Sequence, residues 1–178
     1  MQLCILFFGA NDAVLPSSRL HNPIDSYAEN LKYFIALLRD PSSKYYSPNT
    51  RIMIITPPAV SDAMTKESAK GQSVFKYVSR AATKQYADMA IVVAKEANIP
   101  FVDLNTAIDK KVEELVATIK DPGVYAGYDR FLADGLHLTA RGYEVLYNLI
   151  IDTIRTNWPE IMPGPPLKAT VLNPKVNQ

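Results

Sequence analysis

The chain has 178 residues, 48% of them apolar and 21% charged, a balance that excludes a disordered polymer and fits one compact domain burying roughly 70% of the surface its unfolded chain exposes. Its net charge is +1 with acids and bases interspersed, which excludes the electrostatic footprint of a nucleic-acid or anionic-membrane binder. The single cysteine, Cys4, excludes an intrachain disulfide and a thiolate-rich zinc site, and no apolar run approaches the ~20 residues of a bilayer span, so a cytoplasmic protein is expected.

In chain order, residues 3–8 form an unbroken apolar run. Continuous rather than alternating apolarity marks a parallel strand covered on both faces. The run has no basic segment before it, so it is not read as a signal peptide. Residues 9–23 are loop, punctuated by Asn, Asp, Ser and Pro, and a capping-box pattern at Ser26 and Glu29 opens a helix. Tyr27, Leu31, Phe34 and Leu38 are its apolar stripe, and the stretch Asp40-Pro41-Ser42-Ser43 ends it.

Residues 51–56 are the second strand, stopped by Pro57-Pro58 because proline lacks the amide a central ladder needs. A loop of about fifteen residues is expected next, long enough to act as a lid or substrate wall. From residue 73 to 98 the pattern is helical, with Phe75, Val78, Ala82, Tyr86, Met89 and Val93 on one stripe. Residues 100–104 suit a third strand and residues 105–119 a further helix, broken by Asp121-Pro122-Gly123. Thr139 is placed to cap a last helix with Tyr143, Leu146, Ile150 and Ile154 on one face. Strands alternating with helices predict an α/β fold with a parallel sheet, whose ligands gather beyond the carboxyl ends of the strands. The domain is expected over residues 1–158, followed by a proline-rich extended tail over 159–178.

Two short motifs carry chemistry. Gly9-Ala10-Asn11-Asp12 follows the first strand, where a site is expected, and the neutral amide of Asn11 is suited to donate to a developing oxyanion. Asn and Asp at such a place also serve simply to close a turn. Asp134 and His137 stand three apart just before the last helix. A carboxylate bonded to one ring nitrogen fixes the tautomer and leaves the other nitrogen as a general base, although an isolated pair of this spacing is often only structural. Two histidines without clustered carboxylates give no metal site, no Gly-rich phosphate loop is present, and no cofactor is expected.

Taken jointly and in this order, the motifs resemble the SGNH or GDSL family of serine ester hydrolases, most closely its isoamyl acetate-hydrolysing esterase branch. The residues carrying the likeness are Phe7-Phe8-Gly9-Ala10-Asn11-Asp12-Ala13, the segment 52–58 with Thr56-Pro57-Pro58, and Asp134-Gly135-Leu136-His137-Leu138-Thr139-Ala140-Arg141-Gly142. The resemblance implies a three-layer α/β/α flavodoxin-like fold and a small-molecule ester as substrate. It further implies Asn11 and Gly9 at the oxyanion, Asp134 orienting His137, and His137 as base and then acid.

The family's Gly-Asp-Ser-Leu block, which holds the nucleophile and precedes the first of these strands, does not occur in this sequence, nor does the block that adds an oxyanion glycine. By the resemblance, the absent part supplies two strands, one of them central, with their helices. An N-terminally truncated chain, or a start placed inside a longer gene, is therefore expected. Substitutes are poor: Ser17 and Ser18 are loop serines, Cys4 is a thiol made inert by burial in a strand, and His21 is read as a solvated loop residue. The chain is expected to be inactive by itself. The alternative is a non-catalytic remnant that binds esters or partner chains and self-associates through the 3–8 strand as an uncovered edge.

Overall fold

The computed structural model describes residues 2–71, 73–162 and 164. Three strands, β1 (Leu3–Phe7), β2 (Arg51–Ile55) and β3 (Phe101–Val102), form one parallel sheet in the order β1-β2-β3. Parallel neighbours require long crossovers, and helices supply them. α1 (Ile24–Arg39) links β1 to β2, α2 (Asp62–Ser68) and α3 (Arg80–Glu96) link β2 to β3, and α4 (Leu104–Val116) and α5 (Ala140–Asn157) follow.

β2 is the spine. Ile52, Met53, Ile54 and Ile55 are all buried, and successive side chains point to opposite faces. Ile52 and Ile54 join Leu6 and the α1 and α3 residues Tyr27, Leu31, Tyr86, Ala90 and Val93 in one cluster. Met53 and Ile55 join Val102, Leu104, Ile108, Val112, Leu146 and Ile154 in the other. Two apolar clusters on either side of one sheet make the three-layer α/β/α architecture.

The local chemistry moves several expected boundaries. α1 starts at Ile24, with Pro23 holding the cap position at φ −52°, ψ 144° and no side-chain cap, so Ser26 and Glu29 lie inside the helix rather than opening it. The expected fifteen-residue loop contains α2, capped by Ser61, whose Oγ accepts from the Met64 amide at 3.4 Å. The helix expected over 73–98 is split into a 3₁₀ turn (Ser73–Tyr77) and α3, because Ser79 is extended and caps α3 by accepting from the Ala82 amide. β3 stops at Val102 because Asp103 caps α4, its Oδ1 accepting from the Thr106 amide at 3.0 Å. After Trp158 the chain does not run straight into an extended tail: Pro159–Ile161 is a 3₁₀ turn, Arg51 Nε donates to Glu160 at 3.0 Å, and Ile161 and Met162 pack on the α5 side. Nearly all of the remaining tail lies outside the described residues.

The largest correction concerns β1. It was expected to be covered on both faces, yet Ile5 and Phe7 are each 40% exposed and Phe8, just past the strand, is 50% exposed. Among the described residues β1 is the sheet edge, and α1 covers the face that carries Leu6. Tyr143, expected on the core face of α5, is also exposed.

Candidate active site

A cavity of about 280 Å³ opens beyond the carboxyl end of β1, lined by Phe7, Phe8, Gly9, Ala10, Asn11, Asp12, Pro58, Leu136, His137, Leu138 and Tyr143. Both sequence motifs meet there. The Gly9 turn is set by packing: Gly9 has φ +111°, and a Cβ on it would lie 2.9 Å from Tyr27 Oη and 3.2 Å from Pro57 Cγ. Only glycine adopts that backbone and fits that gap without strain. The turn closes through the Ala13 amide donating to the Gly9 carbonyl at 2.9 Å.

Two further groups hold the turn. Tyr27 donates to the Phe8 carbonyl at 3.2 Å, and burial pushes its phenol well above the ordinary range, with the Asp12 charge and Tyr86 adding to the effect, so it remains a neutral donor. Asp12 Oδ1 accepts from Asn22 Nδ2 at 3.0 Å, which ties the turn to the entry of α1. Asp12 thus closes the loop, whereas Asn11 is exposed and no partner holds its side chain among the described residues. Its amide is left free at the cavity wall.

Asp134 and His137 form the pair their spacing implied. His137 Nδ1 lies 2.6 Å from Asp134 Oδ2, while Asp134 Oδ1 accepts from the amides of Leu136 at 3.0 Å and His137 at 2.9 Å. Burial by itself would raise the Asp134 carboxyl; the imidazole bond and the two amide bonds outweigh it and hold the group below the usual carboxylate value. The carboxylate is therefore ionised and positioned as an acceptor for Nδ1–H, which directs Nε2 away from it as the free basic nitrogen. The ring is 71% exposed and meets the Phe75 ring edge-on, 6.3 Å between centroids.

The brace behind this pair was missed in the sequence. Gly135, at φ +96°, lies so close to α2 that a Cβ would fall 2.7 Å from the Thr65 amide nitrogen. Ser61 N donates to the Gly135 carbonyl at 3.0 Å and Ser68 Oγ to the Asp134 carbonyl at 3.0 Å. The stretch Ser61-Asp62, a helix-start signal, was the one available clue. At the base of the loop Leu132 and Leu138 form an antiparallel bridge, and Thr139 caps α5 by accepting from the Gly142 amide.

The other candidates do not reach the cavity. Ser17 and Ser18 sit in the turns beyond Asn11, where Ser18 Oγ accepts from the Leu20 amide. Cys4 lies within β1 beside Ile52, and burial raises its thiol. His21 is not merely solvated: it is half-buried, with Nδ1 2.6 Å from the Val14 carbonyl, and it staples the loop instead. No serine, threonine or cysteine is among the described residues lining the cavity.

The chain is thus a layered α/β domain with an imidazole–carboxylate pair and an amide-bearing turn at the strand ends. Residues 2–145 match the GDSL-like Lipase/Acylhydrolase family, and the chain belongs to that family. It is 32% identical over 168 residues to a GDSL esterase/lipase of Arabidopsis thaliana, covering 89% of this chain and 62% of that protein. It is 28% identical over 165 residues to an isoamyl acetate-hydrolyzing esterase 1 homolog of Mus musculus, covering 89% of this chain and 59% of that one. The crystal structure of a lipase/acylhydrolase from Enterococcus faecalis superposes with a TM-score of 0.58 at 28% identity, covering 85% of this chain and 60% of that one. The chain thus spans about 60% of the length of these proteins.

Proposed function

We propose that this chain supplies the acid-base pair and oxyanion donors of a hydrolase of small carboxylic esters, short-chain acetates among them, and that it is inactive alone because no serine, threonine or cysteine lines the cavity among the described residues. The observation that carries the reading is the 2.6 Å His137–Asp134 bond on the same small cavity as the free amide of Asn11. The name of the mouse relative supports acetate esters as the substrate class.

In the complete mechanism a serine oxygen bonds to the ester carbonyl carbon while its proton passes to His137 Nε2. The carbonyl oxygen gains negative charge and is met by Asn11 Nδ2 and the Gly9 amide. The C–O bond to the alcohol then breaks, and the alcohol leaves with the proton from His137. Water repeats the sequence on the acyl-serine and releases the carboxylic acid. Asp134 stays ionised throughout and holds the ring. One cysteine and the absence of any helix long and apolar enough to cross a membrane among the described residues support a cytoplasmic setting, with residues 1–158 as the hydrolase domain and 159–178 as a tail.

Loss of the serine from a working triad costs about 10⁶ in turnover, taking a typical ~10 s⁻¹ to roughly 10⁻⁵ s⁻¹. The purified chain is expected to hydrolyse p-nitrophenyl acetate no faster than buffer. Turnover well above buffer that disappears in Asn11→Ala and His137→Ala would show that a nucleophile is present and overturn the inactivity. The second reading, a non-catalytic module that self-associates, is favoured by the exposed edge at β1; gel filtration reads it as a dimer or larger species, and a monomer rejects it.

A further inference from the structure

The geometry points to Arg80 as a positioning residue for the Asp134–His137 pair: through Asp109 and Tyr128 it locks the two supports of that loop into one register. The inference rests on the hydrolase reading above, since it takes His137 as the acid-base group, and it assigns a role to three residues that lie outside the cavity.

The loop is held from two sides. On the outer side α2 grips it, with Ser61 N donating to the Gly135 carbonyl and Ser68 Oγ to the Asp134 carbonyl, each at 3.0 Å. On the inner side its stem rises from a 3₁₀ turn, Tyr128–Arg130. The amides of Phe131 and Leu132 donate to the Tyr128 carbonyl at 2.9 and 2.8 Å, and Thr139, where the loop ends, donates through Oγ1 to the Arg130 carbonyl at 2.7 Å. Asp134 is thus tied to α2, whereas His137, whose carbonyl accepts from the Ala133 amide at 2.8 Å beside the Leu132–Leu138 bridge, is tied to the stem. How the carboxylate meets the ring therefore depends on how the two supports sit relative to each other.

Arg80 spans them. It opens α3, and its amide donates to Asp62 Oδ1 at 2.9 Å, at the first residue of α2. Its Nη2 donates to Asp109 Oδ2 on α4 at 2.8 Å, and its guanidinium lies 5.2 Å from the centroid of the Tyr128 ring. Tyr128 in turn donates to the other oxygen, Asp109 Oδ1, at 2.7 Å. Tyr128 is buried, and burial together with the Asp109 bond holds its phenol well above the ordinary range, so it stays a neutral donor.

The reach of this contact sets it apart from ordinary surface pairs. Lys111–Glu114 and Arg155–Asp152 join neighbours on one helix, and pairs of that kind add only local support. Arg80 and Asp109 stand 29 residues apart, on α3 and α4. The planar guanidinium bonds the carboxylate through one edge while its face covers an aromatic ring, a geometry that an ammonium lacks. Phe75, which meets the His137 ring edge-on, belongs to the same run of chain: Val78 N donates to its carbonyl at 3.1 Å, two residues before Arg80. Loss of the anchor therefore lets α2, the stem and Phe75 shift independently, and the ring no longer meets the carboxylate squarely.

The test reads the imidazole nitrogen NMR shifts of the full chain, which report the nitrogen that carries the proton. The Asp134 carboxylate only accepts, as does the Val14 carbonyl 2.6 Å from His21 Nδ1, so both histidines of the parent are expected in the Nδ1–H form when neutral. In Arg80→Gln, and in Tyr128→Phe, which deletes one oxygen from a ring that stays packed, the Nδ1–H share of His137 is expected to fall to about half or less, while that of His21 holds. Arg155→Ala, which breaks an ion pair within α5, is expected to leave both rings as in the parent. An unchanged His137 in either Arg80→Gln or Tyr128→Phe, a His21 that moves with it, or an equal change in Arg155→Ala overturns the positioning role. Should Arg80→Gln fail to fold, Tyr128→Phe decides alone. A parent His137 found in the Nε2–H form removes the pair, and the inference with it. Turnover plays no part in this readout, so the p-nitrophenyl acetate assay judges the hydrolase reading separately.

Discussion

The edge strand β1 and the central strand β2 are built from similar residues and live in opposite surroundings. In β2, Ile52 to Ile55 are buried on both faces by helices, whereas in β1 Ile5 and Phe7 each keep 40% of their surface exposed. The difference is one of neighbours: among the described residues β2 has a strand on each side and β1 has one. The fold is therefore anchored at β2, while the cavity sits at the end of the less-covered strand. Stability and chemistry occupy adjacent strands and are separable by mutation.

Ile54→Ala is the strongest expected break in that comparison. A fully buried isoleucine replaced by alanine typically costs about 2–5 kcal/mol, and Ile54 is 0% exposed. Ile5→Ala, on the half-covered strand, is expected to cost under ~1 kcal/mol, since less of its surface leaves water on folding. Urea titration of both variants checks the contrast, and equal losses would mean that β1 is as well covered as β2. Gly135→Ala comes next. Its strained backbone and the 2.7 Å approach to Thr65 N are expected to cost about 1–3 kcal/mol by forcing α2 away from the Asp134 loop. Partial proteolysis should then cut the 61–71 segment faster than in the parent chain; unchanged cleavage would mean that α2 is held by something other than the loop.

Much of the site was legible because it depends on short-range spacing. Asp134 and His137 are three residues apart, and the Gly9 turn follows directly on an apolar strand, so spacing suggested the pairing and the place at the strand ends, and the joint occurrence of the motifs favoured it over a merely structural pair. What escaped the sequence depends on tertiary partners. α2 is seven residues long, too short to show a stripe, and it forms because Ser61 caps it and Met64 and Thr65 find burial. The break at Ser79 was hidden because Phe75, Val78 and Ala82 keep helical spacing across it, although the chain there is extended. The exposure of β1 could not be read from the run itself, since Leu3 to Phe8 has the same composition whether covered or uncovered, and it entered only with the alternative of a remnant whose 3–8 strand is an uncovered edge. Tyr143 and Tyr147 likewise continue an apolar stripe yet stand open to solvent.

The smallest effect expected is the pH response of the Asp134 carboxyl. Its folded-state value lies below the ordinary one, because the His137 ring and two amides favour the charged form more strongly than burial opposes it. A carboxyl depressed in this way contributes stability that is fully present above its unfolded value of about 3.9 and is lost as pH falls through the lower folded value. The urea midpoint of the parent chain should therefore fall as pH drops from about 5 to about 3, and in Asp134→Asn the fall should be shallower, since the amide has no proton to take up there. The open β1 edge has no carboxylate in its shelf of Ile5, Phe7, Tyr143 and Tyr147, so Ile5→Ala should leave that pH slope unchanged. Parallel slopes in the parent and Asp134→Asn would place the depressed carboxyl elsewhere and loosen the link between the dyad and the acid limb.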